Sequence, residues 1–465
     1  MRTPCIICLA GALTLTPAAA HDFVFGADLS YADEMADCGA AFKDNGAQKD
    51  EFAIFRDHGT TLARFRLWHN ATWTKYGNLD DIERGIKRAK AAGLMVLLDF
   101  QYSDDFADAG HQIVPAAWAA IKDDDALART VYQYTLDTLK TLGAAGLTPD
   151  MVQVGNEINS EILIPGPWTQ GAAINWARNA KLIDAGIRAV RDAGPAIKVM
   201  LHIAQPENAE DWFAQATTAG VTDFDAIGIS YYSKWSKYSF AGLGGVINRL
   251  RFRYPKAAVW VVETAYPWTL QWADSSNNLL GEDALVPGYR ATREDQLKYL
   301  TDLAQTVIAS GGAGLITWAP DWVSTGCSTR WGRGSNWENA TLFDFDDDAL
   351  PGIDFPHAQY RWPVTVTLRF HGFSPPPGRP FYLWGDFLGS NKFAVRLPDD
   401  GVFATTLMPG AKIRFQVFDN LELHARLLAG EMVVDEFATE TVPSADATFD
   451  FALTPPAGAV PPPSH

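Results

Sequence analysis

Between Phe23 and Trp362, short apolar runs rich in β-branched residues alternate with longer stretches whose apolar positions recur every three or four residues. The strand-like runs are "FVFGADLS" (23–30), "TLARFRLW" (61–68), "LMVLLDFQ" (94–101), "DMVQVGNE" (150–157), "KVMLHIA" (198–204), "FDAIGISYY" (224–232), "AVWVVETAY" (258–266) and "AGLITWAPDW" (313–322). Amphipathic stretches such as "LDDIERGIKRAKAAG" (79–93), "DALARTVYQYTLDTLKTLGAAG" (125–146) and "TREDQLKYLTDLAQTVIASGG" (292–312) lie between them and end in Gly, a frequent helix stop. Eight strands alternating with helices predict an α/β fold, a (β/α)8 TIM barrel over 21–362. A doubly wound open sheet competes, but no glycine-rich phosphate turn follows the first strand.

Beyond Trp362 the period changes to two. "VTVTLRFHGF", "RPFYLWGDF", "NKFAVRLP", "GVFATTLM", "AKIRFQVFD" and "ATFDFAL" are separated by Gly, Pro and Asp turns. They predict a C-terminal all-β sandwich over 363–453. Its "FYLWGDF" segment is loosely similar to carbohydrate-binding sandwiches, and a purely structural appendage is weighed above that. The closing "TPPAGAVPPPSH" (454–465) is Pro-rich and reads as a disordered tail.

Polar residues collect at the C-terminal ends of the strand-like runs: Asp28, Arg66, Asp99, Glu157, His202, Tyr231 and Glu263. In a barrel those ends converge on one mouth, where active sites sit. A single polar residue there would be a strand cap; a set confined to one end implies a site.

Composition narrows what that site takes. The net charge of −17 argues against nucleic acid or an anionic membrane as partner, so a neutral ligand fits better, although acidity also serves solubility. Sixteen Trp exceed what a core requires and point to flat rings that stack on a ligand. The N-terminus "MRTPCIICLAGALTLTPAAAHDF" has a basic residue, a short apolar run and a small-residue site, which predicts a signal peptide over 1–20 cut after Ala20. That run is too short to span a bilayer, and no later one reaches the length required, so no membrane insertion is expected. Export implies a compartment, periplasmic or extracellular, that permits disulfides. The remaining cysteines, Cys38 and Cys327, allow either one bond or two free thiols.

Two of the strand ends carry glutamates, Glu157 after the fourth run and Glu263 after the seventh. About three βα units separate them, so their strands face each other across the mouth. Two facing carboxyls suit glycoside hydrolysis, one protonated to serve the leaving oxygen and one ionised to attack the anomeric carbon. Burial and a neighbouring negative charge raise the acid, while hydrogen-bond donors hold the nucleophile down. Arg66 and Tyr231 are the expected donors near Glu263, and Asn156 is expected to bind a sugar 2-hydroxyl. No His/Asp/Glu cluster with metal-ligand spacing occurs at these positions. Glu161 lies beyond the strand end and is expected to pair locally.

"GNE" closing strand four with a Glu closing strand seven resembles the clan of retaining (β/α)8 glycosidases. More specifically, "GADLSY", "ARFRLW", "LLDFQYSDDFADAGHQIVPAAW", "VQVGNEINSEIL", "GISYYSKW", "VVETAYPW" and "WENATLFDFDDDALPGI" are similar to the endo-β-1,4-galactanases of glycoside hydrolase family 53. The resemblance runs through both ends of the barrel and leaves out the sandwich. It implies a retaining double displacement on β-1,4-galactan, the neutral side chains of pectin. No cofactor is expected to be required, and a monomer is expected, although the sequence does not fix the oligomeric state. Carried across, Glu157 is the acid/base and Glu263 the nucleophile, with Arg66, Asn156 and Tyr231 as supporting contacts, while Asp28 and His202, from their places at the strand ends, are expected to bind substrate as well. Trp318 is expected to floor the subsite at the cleaved bond, and Trp68, Trp268 and Trp322 to widen the aromatic groove, with ordinary packing as the rival role for each.

The chain departs from the family at Gln101, where His is common, and at Phe106 and Ala109, where Trp and Pro are common. Subsite contacts on the loop after strand three are therefore open. Bacterial members can hold a structural calcium in the loop after strand seven. That loop here offers Asp274, Asn277 and Asn278, which match the six to eight oxygens of a calcium site only in part. Cys38 follows strand one and Cys327 follows strand eight, neighbours only if the barrel closes, so a Cys38–Cys327 disulfide across the seam is expected. The alternatives are another retaining β-glycanase of the clan, acting on mannan, xylan or glucan, or a non-catalytic glycan-binding barrel.

Overall fold

The structure is a computed structural model that describes residues 14–16, 22–169, 171–330, 332–371, 380–389, 394–418 and 438–452. The eight expected runs become parallel strands β1 (Val24–Asp28), β2 (Leu62–Leu67), β3 (Met95–Phe100), β4 (Met151–Val154), β5 (Lys198–Ala204), β6 (Ala226–Ser230), β7 (Ala258–Glu263) and β8 (Gly314–Thr317). They form a closed barrel, because β8 pairs with β1 from Gly314↔Val24 to Thr317↔Ala27. The open-sheet alternative is thereby excluded.

Helices cover the outside, and their starts are written locally. Asp50, Asn78, Asp123 and Thr292 each accept a hydrogen bond from the backbone N–H three residues on, satisfying a donor that has no partner inside the helix. In Leu79–Ala91 the buried residues Ile82, Gly85, Ile86 and Ala89 fall on one face. After β8 the chain makes a long excursion and ends in a 3-10 segment, Pro351–His357, which packs on helix Arg293–Ala309 in place of an eighth α-helix.

The barrel interior is layered. Leu62, Leu97, Met200, Trp260 and Ile316 form a dry lower layer. Trp260 fits there because its neighbour is Gly314, where a Cβ would lie 2.4 Å from the indole ring. Side chains alternate along a strand, so the next inward positions, Asp28, Arg64, Asp99, Gln153 and His202, stand directly above as a buried polar layer.

The expected disulfide joins Cys38 to Cys327, with Cα atoms 5.7 Å apart, and bridges the loops after β1 and β8. C-terminally, two four-stranded sheets enclose a separate core that includes Val366, Leu368, Phe415 and Val417. They dock on helix Phe240–Arg253, where Arg251 donates to Thr406 Oγ1 at 2.8 Å and Asn248 Nδ2 to the Phe387 carbonyl at 2.6 Å. Most of the leader and the whole Pro-rich tail lie outside the described residues; Thr14–Thr16 pair antiparallel with Asp446–Thr448. No described helix is long and apolar enough to cross a membrane.

Candidate active site

At the C-terminal mouth of the barrel lies a cleft of about 580 Å³, with Asn156, Glu157 and Glu263 in its wall and Tyr31, Trp318 and Trp337 among its aromatic lining. Local backbone devices aim the two glutamates into it. After β4, Gly155 has φ +83° and Glu157 φ +45°, so the chain leaves extended geometry as the strand ends. A Cβ on Gly155 would meet Ile158 Cγ2 at 2.5 Å, and only glycine fits there. In β7 the pairing with β6 shifts register between Val261 and Glu263. Val262 packs in the interior layer and the very next residue, Glu263, still reaches the cleft. A bulge of this kind re-aims one side chain without breaking the sheet.

Glu263 is held from two sides. Arg64 Nη1 lies 2.9 Å from its Oε1, and Tyr232 donates its hydroxyl to Oε2 at 3.1 Å. The same guanidinium reaches Asp28 at 2.7 Å, Asp99 at 3.1 Å and Asn156 Oδ1 at 2.8 Å. Burial disfavours charge on Arg64, but Glu263, Asp99 and Asp28 outweigh it and keep the guanidinium protonated. Burial pushes Glu263 up, the charge of Arg64 and the Tyr232 hydroxyl pull against it, and with the Asp28 charge added it stays above its ordinary value. Burial pushes Asp99 up to about 7 against Arg64.

Glu157 has no cation contact of this kind among the described residues. Burial first, then the charge of Glu263, push it up to about 8. Among the described residues its one side-chain donor is Ser230 Oγ, 2.6 Å from Oε1. The two carboxyls thus differ in the sense an acid and a nucleophile require, one pushed further towards its protonated form and the other paired with a cation.

The donors beside Glu263 are not those expected from sequence. Arg66 lies flat between the rings of Tyr31, Trp68 and Phe106, at 4.2, 4.5 and 4.8 Å. Arg64, two residues earlier on the same inward face, is one layer deeper and meets Glu263. Tyr231 points away and donates to the Tyr238 carbonyl at 2.9 Å, while Tyr232 takes the inward parity. The tyrosine misplacement has the alternation of side chains as its cause, and the arginine misplacement has depth along one face.

Other expected contacts also move off the cleft wall. Asp28 is buried in the ion network, and His202 lies beneath Glu157, 2.8 Å from Ser230 Oγ. Trp68 is packed inside, its indole N–H donating to Gln101 at 3.0 Å. Trp268 is likewise buried and donates to the Glu338 carbonyl. Trp318 and Trp322 do line the cleft. Trp318 stands edge-on to Trp337 with centroids 4.8 Å apart, and Trp322 stacks on Tyr31 at 4.2 Å. Asn156 lines it as well, its amide anchored to the Ala107 carbonyl at 2.8 Å. Gln101, Phe106 and Ala109 share the wall. Glu161 accepts the Asn175 N–H at 2.6 Å and is spent locally.

The expected calcium donors do not form a cage. Asp274 accepts from Ser276 N–H, Ser324 Oγ and Ser335 N–H at 2.6, 2.6 and 2.8 Å. The Asn277 carbonyl accepts from Asn336. Among the described residues, buried Asn278 Oδ1 and Glu338 Oε2 take no hydrogen bond. Among the described residues no group of three His, Cys, Asp or Glu is placed to hold a metal.

Comparison with known proteins agrees with this geometry. The family model "Glycosyl hydrolase family 53" matches residues 24–355. An arabinogalactan endo-β-1,4-galactanase of Cellvibrio japonicus is 50% identical over 345 residues, which is 73% of this chain and 92% of that one. Among solved structures, the Ignisphaera aggregans GH53 catalytic domain matches with a TM-score of 0.67 at 31% identity, covering 75% of this chain and 99% of that domain. A fungal β-1,4-galactanase matches with a TM-score of 0.63 at 30% identity, covering 72% and 99%.

Proposed function

The chain belongs to glycosyl hydrolase family 53, and on that premise we propose that it is an endo-β-1,4-galactanase cutting internal bonds of galactan by a retaining double displacement. The chemistry rests on one observation: Glu157 and Glu263 line a single cleft, and of the two only Glu263 is in contact with a cation among the described residues. The substrate rests on the identity with the Cellvibrio japonicus galactanase.

In the first step Glu263 attacks the anomeric carbon as the glycosidic C–O bond breaks, and Glu157 gives its proton to the departing oxygen. The glycosyl ester on Glu263 is then hydrolysed. Glu157, now a carboxylate, takes a proton from the attacking water and returns to its starting state. Arg64 and Tyr232 keep Glu263 ionised and oriented while it is free. Asn156 has a second amide N–H beyond the one held by Ala107, suited to the sugar 2-hydroxyl. Trp318 supplies the flat apolar face beneath the sugar ring.

The same reading divides the chain into a catalytic barrel to about residue 362 and an accessory sandwich over 363–453. Cleavage of the leader after Ala20 exports the protein to the periplasm or beyond, which suits the Cys38–Cys327 bond. It also frees the sheet edge that Thr14–Thr16 cover.

Linear β-1,4-galactan should yield short oligosaccharides of retained anomeric configuration. Inert galactan alongside cleaved mannan, xylan or glucan would replace galactanase with another β-glycanase.

A further inference from the structure

Glu157 is tied to a neighbour that sequence reasoning did not single out. Ser230 closes β6 with no exposed surface, and its Oγ lies 2.6 Å from Glu157 Oε1 and 2.8 Å from His202 Nε2. A serine hydroxyl has one proton to give. When Glu157 is ionised that proton goes to the charged acceptor, and Ser230 then receives from His202 rather than donating to it. His202 is fully buried and kept neutral, first by burial and then by the Arg64 charge. Its single N–H then belongs on Nε2.

The surroundings of Nδ1 fit that tautomer. Gln153 Nε2 at 3.1 Å and the Glu157 backbone N–H at 3.4 Å both point donors at it. Asn156 Oδ1 is also 2.9 Å away, but it already accepts the charged Arg64 donor at 2.8 Å. His202 braces the strained acid a third time, since its carbonyl accepts the Ile158 N–H at 2.9 Å.

The geometry points to Ser230 and His202 as positioning residues for the acid/base: a fixed His202 to Ser230 to Glu157 donor chain occupies Oε1 and so leaves Oε2 as the oxygen that carries the catalytic proton. In glycosylation the proton leaves Oε2 for the glycosidic oxygen. In deglycosylation it returns to Oε2 from water. The Ser230 proton stays in place through both steps. This inference rests on Glu157 being the acid/base, and it goes further by assigning the atom and the residues that select it.

The test is Ser230→Ala, with Ser230→Thr as the conservative partner and melting temperature as the check on folding. The charged and titratable groups facing Glu157 are Glu263 on β7, Asp108 after β3, Arg64 on β2, His202 on β5 and Tyr232 after β6, and neither variant alters any of them. Removing a donor to the carboxylate raises the acid, so the alkaline limb of kcat/KM should move upward by about one pH unit. On galactan, kcat should fall by about 10- to 100-fold. The loss should be smaller on an aryl β-galactoside whose leaving group needs no proton, and Ser230→Thr should recover most of both. Nitrogen-15 shifts of His202 should show the Nε2–H tautomer.

An unmoved alkaline limb, an equal loss on both substrates, or a His202 proton on Nδ1 would each overturn the inference. Wild-type protein that leaves galactan intact, or whose alkaline limb survives Glu157→Gln, would instead defeat the reading of Glu157 itself.

Discussion

Replacing Arg64 by methionine removes the guanidinium that Asp28, Asp99 and Glu263 share, while keeping a side chain of similar length. Arg64 exposes 1% of its side chain, and its three carboxylate partners expose 1%, 0% and 8%. Solvent therefore cannot replace the lost cation. Breaking a buried ion pair by deleting one partner costs about 3–5 kcal/mol, because the other charge is left uncompensated.

The cost should depend on pH, and its sign follows from the carboxyls. Burial already holds Asp99 and Glu263 above their unfolded values against the pull of Arg64, so losing that pull raises them further. A carboxyl raised in the folded state removes stability as pH climbs from its unfolded pKa to its folded one. Each additional unit of raising costs about 1.4 kcal/mol once the pH lies above it. Urea unfolding of the barrel should therefore show a deficit of about 3–5 kcal/mol at pH 8 that shrinks to below about 2 kcal/mol at pH 5, where the carboxyls hold protons at little cost. A deficit equal at both pH values, or under about 1 kcal/mol at pH 8, would refute the ion-network argument. Activity should fall in parallel at neutral pH, since a Glu263 that keeps its proton cannot attack.

Three further outcomes are expected. Glu157→Gln should cost about 10²- to 10⁴-fold in kcat on galactan and abolish the alkaline limb, and Glu263→Gln about 10⁴-fold or more, both read from steady-state rates. Joint replacement of Cys38 and Cys327 by serine should reduce barrel stability by about 2–4 kcal/mol, read from thermal or urea unfolding, because the bond closes a loop of 289 residues. Trp318→Ala should lower kcat/KM by roughly 5- to 30-fold through the loss of about 1–2 kcal/mol of apolar contact with the sugar, with the melting temperature little changed.

Periodicity alone determined the architecture. Alternating apolar runs and amphipathic stretches have few ways to bury their faces, and eight of them in sequence close into a barrel whose mouth must gather the strand ends. That is why Glu157, Glu263, Asn156 and the Cys38–Cys327 seam were legible from the chain. What the pattern lacks is depth. Arg64 and Arg66 share one face, and only the barrel's stagger decides which of them meets Glu263 and which is sandwiched between rings. Tyr231 and Tyr232 differ by one residue, and the parity past the end of β6 decides between them. Trp68 and Trp318 are the same residue type, yet one fills the core and the other faces the cleft. The bulge in β7 and the left-handed turn after β4 complete the site by turning two carboxyls inward where a regular strand would not. Such placements depend on contacts between distant segments, and no local period records them.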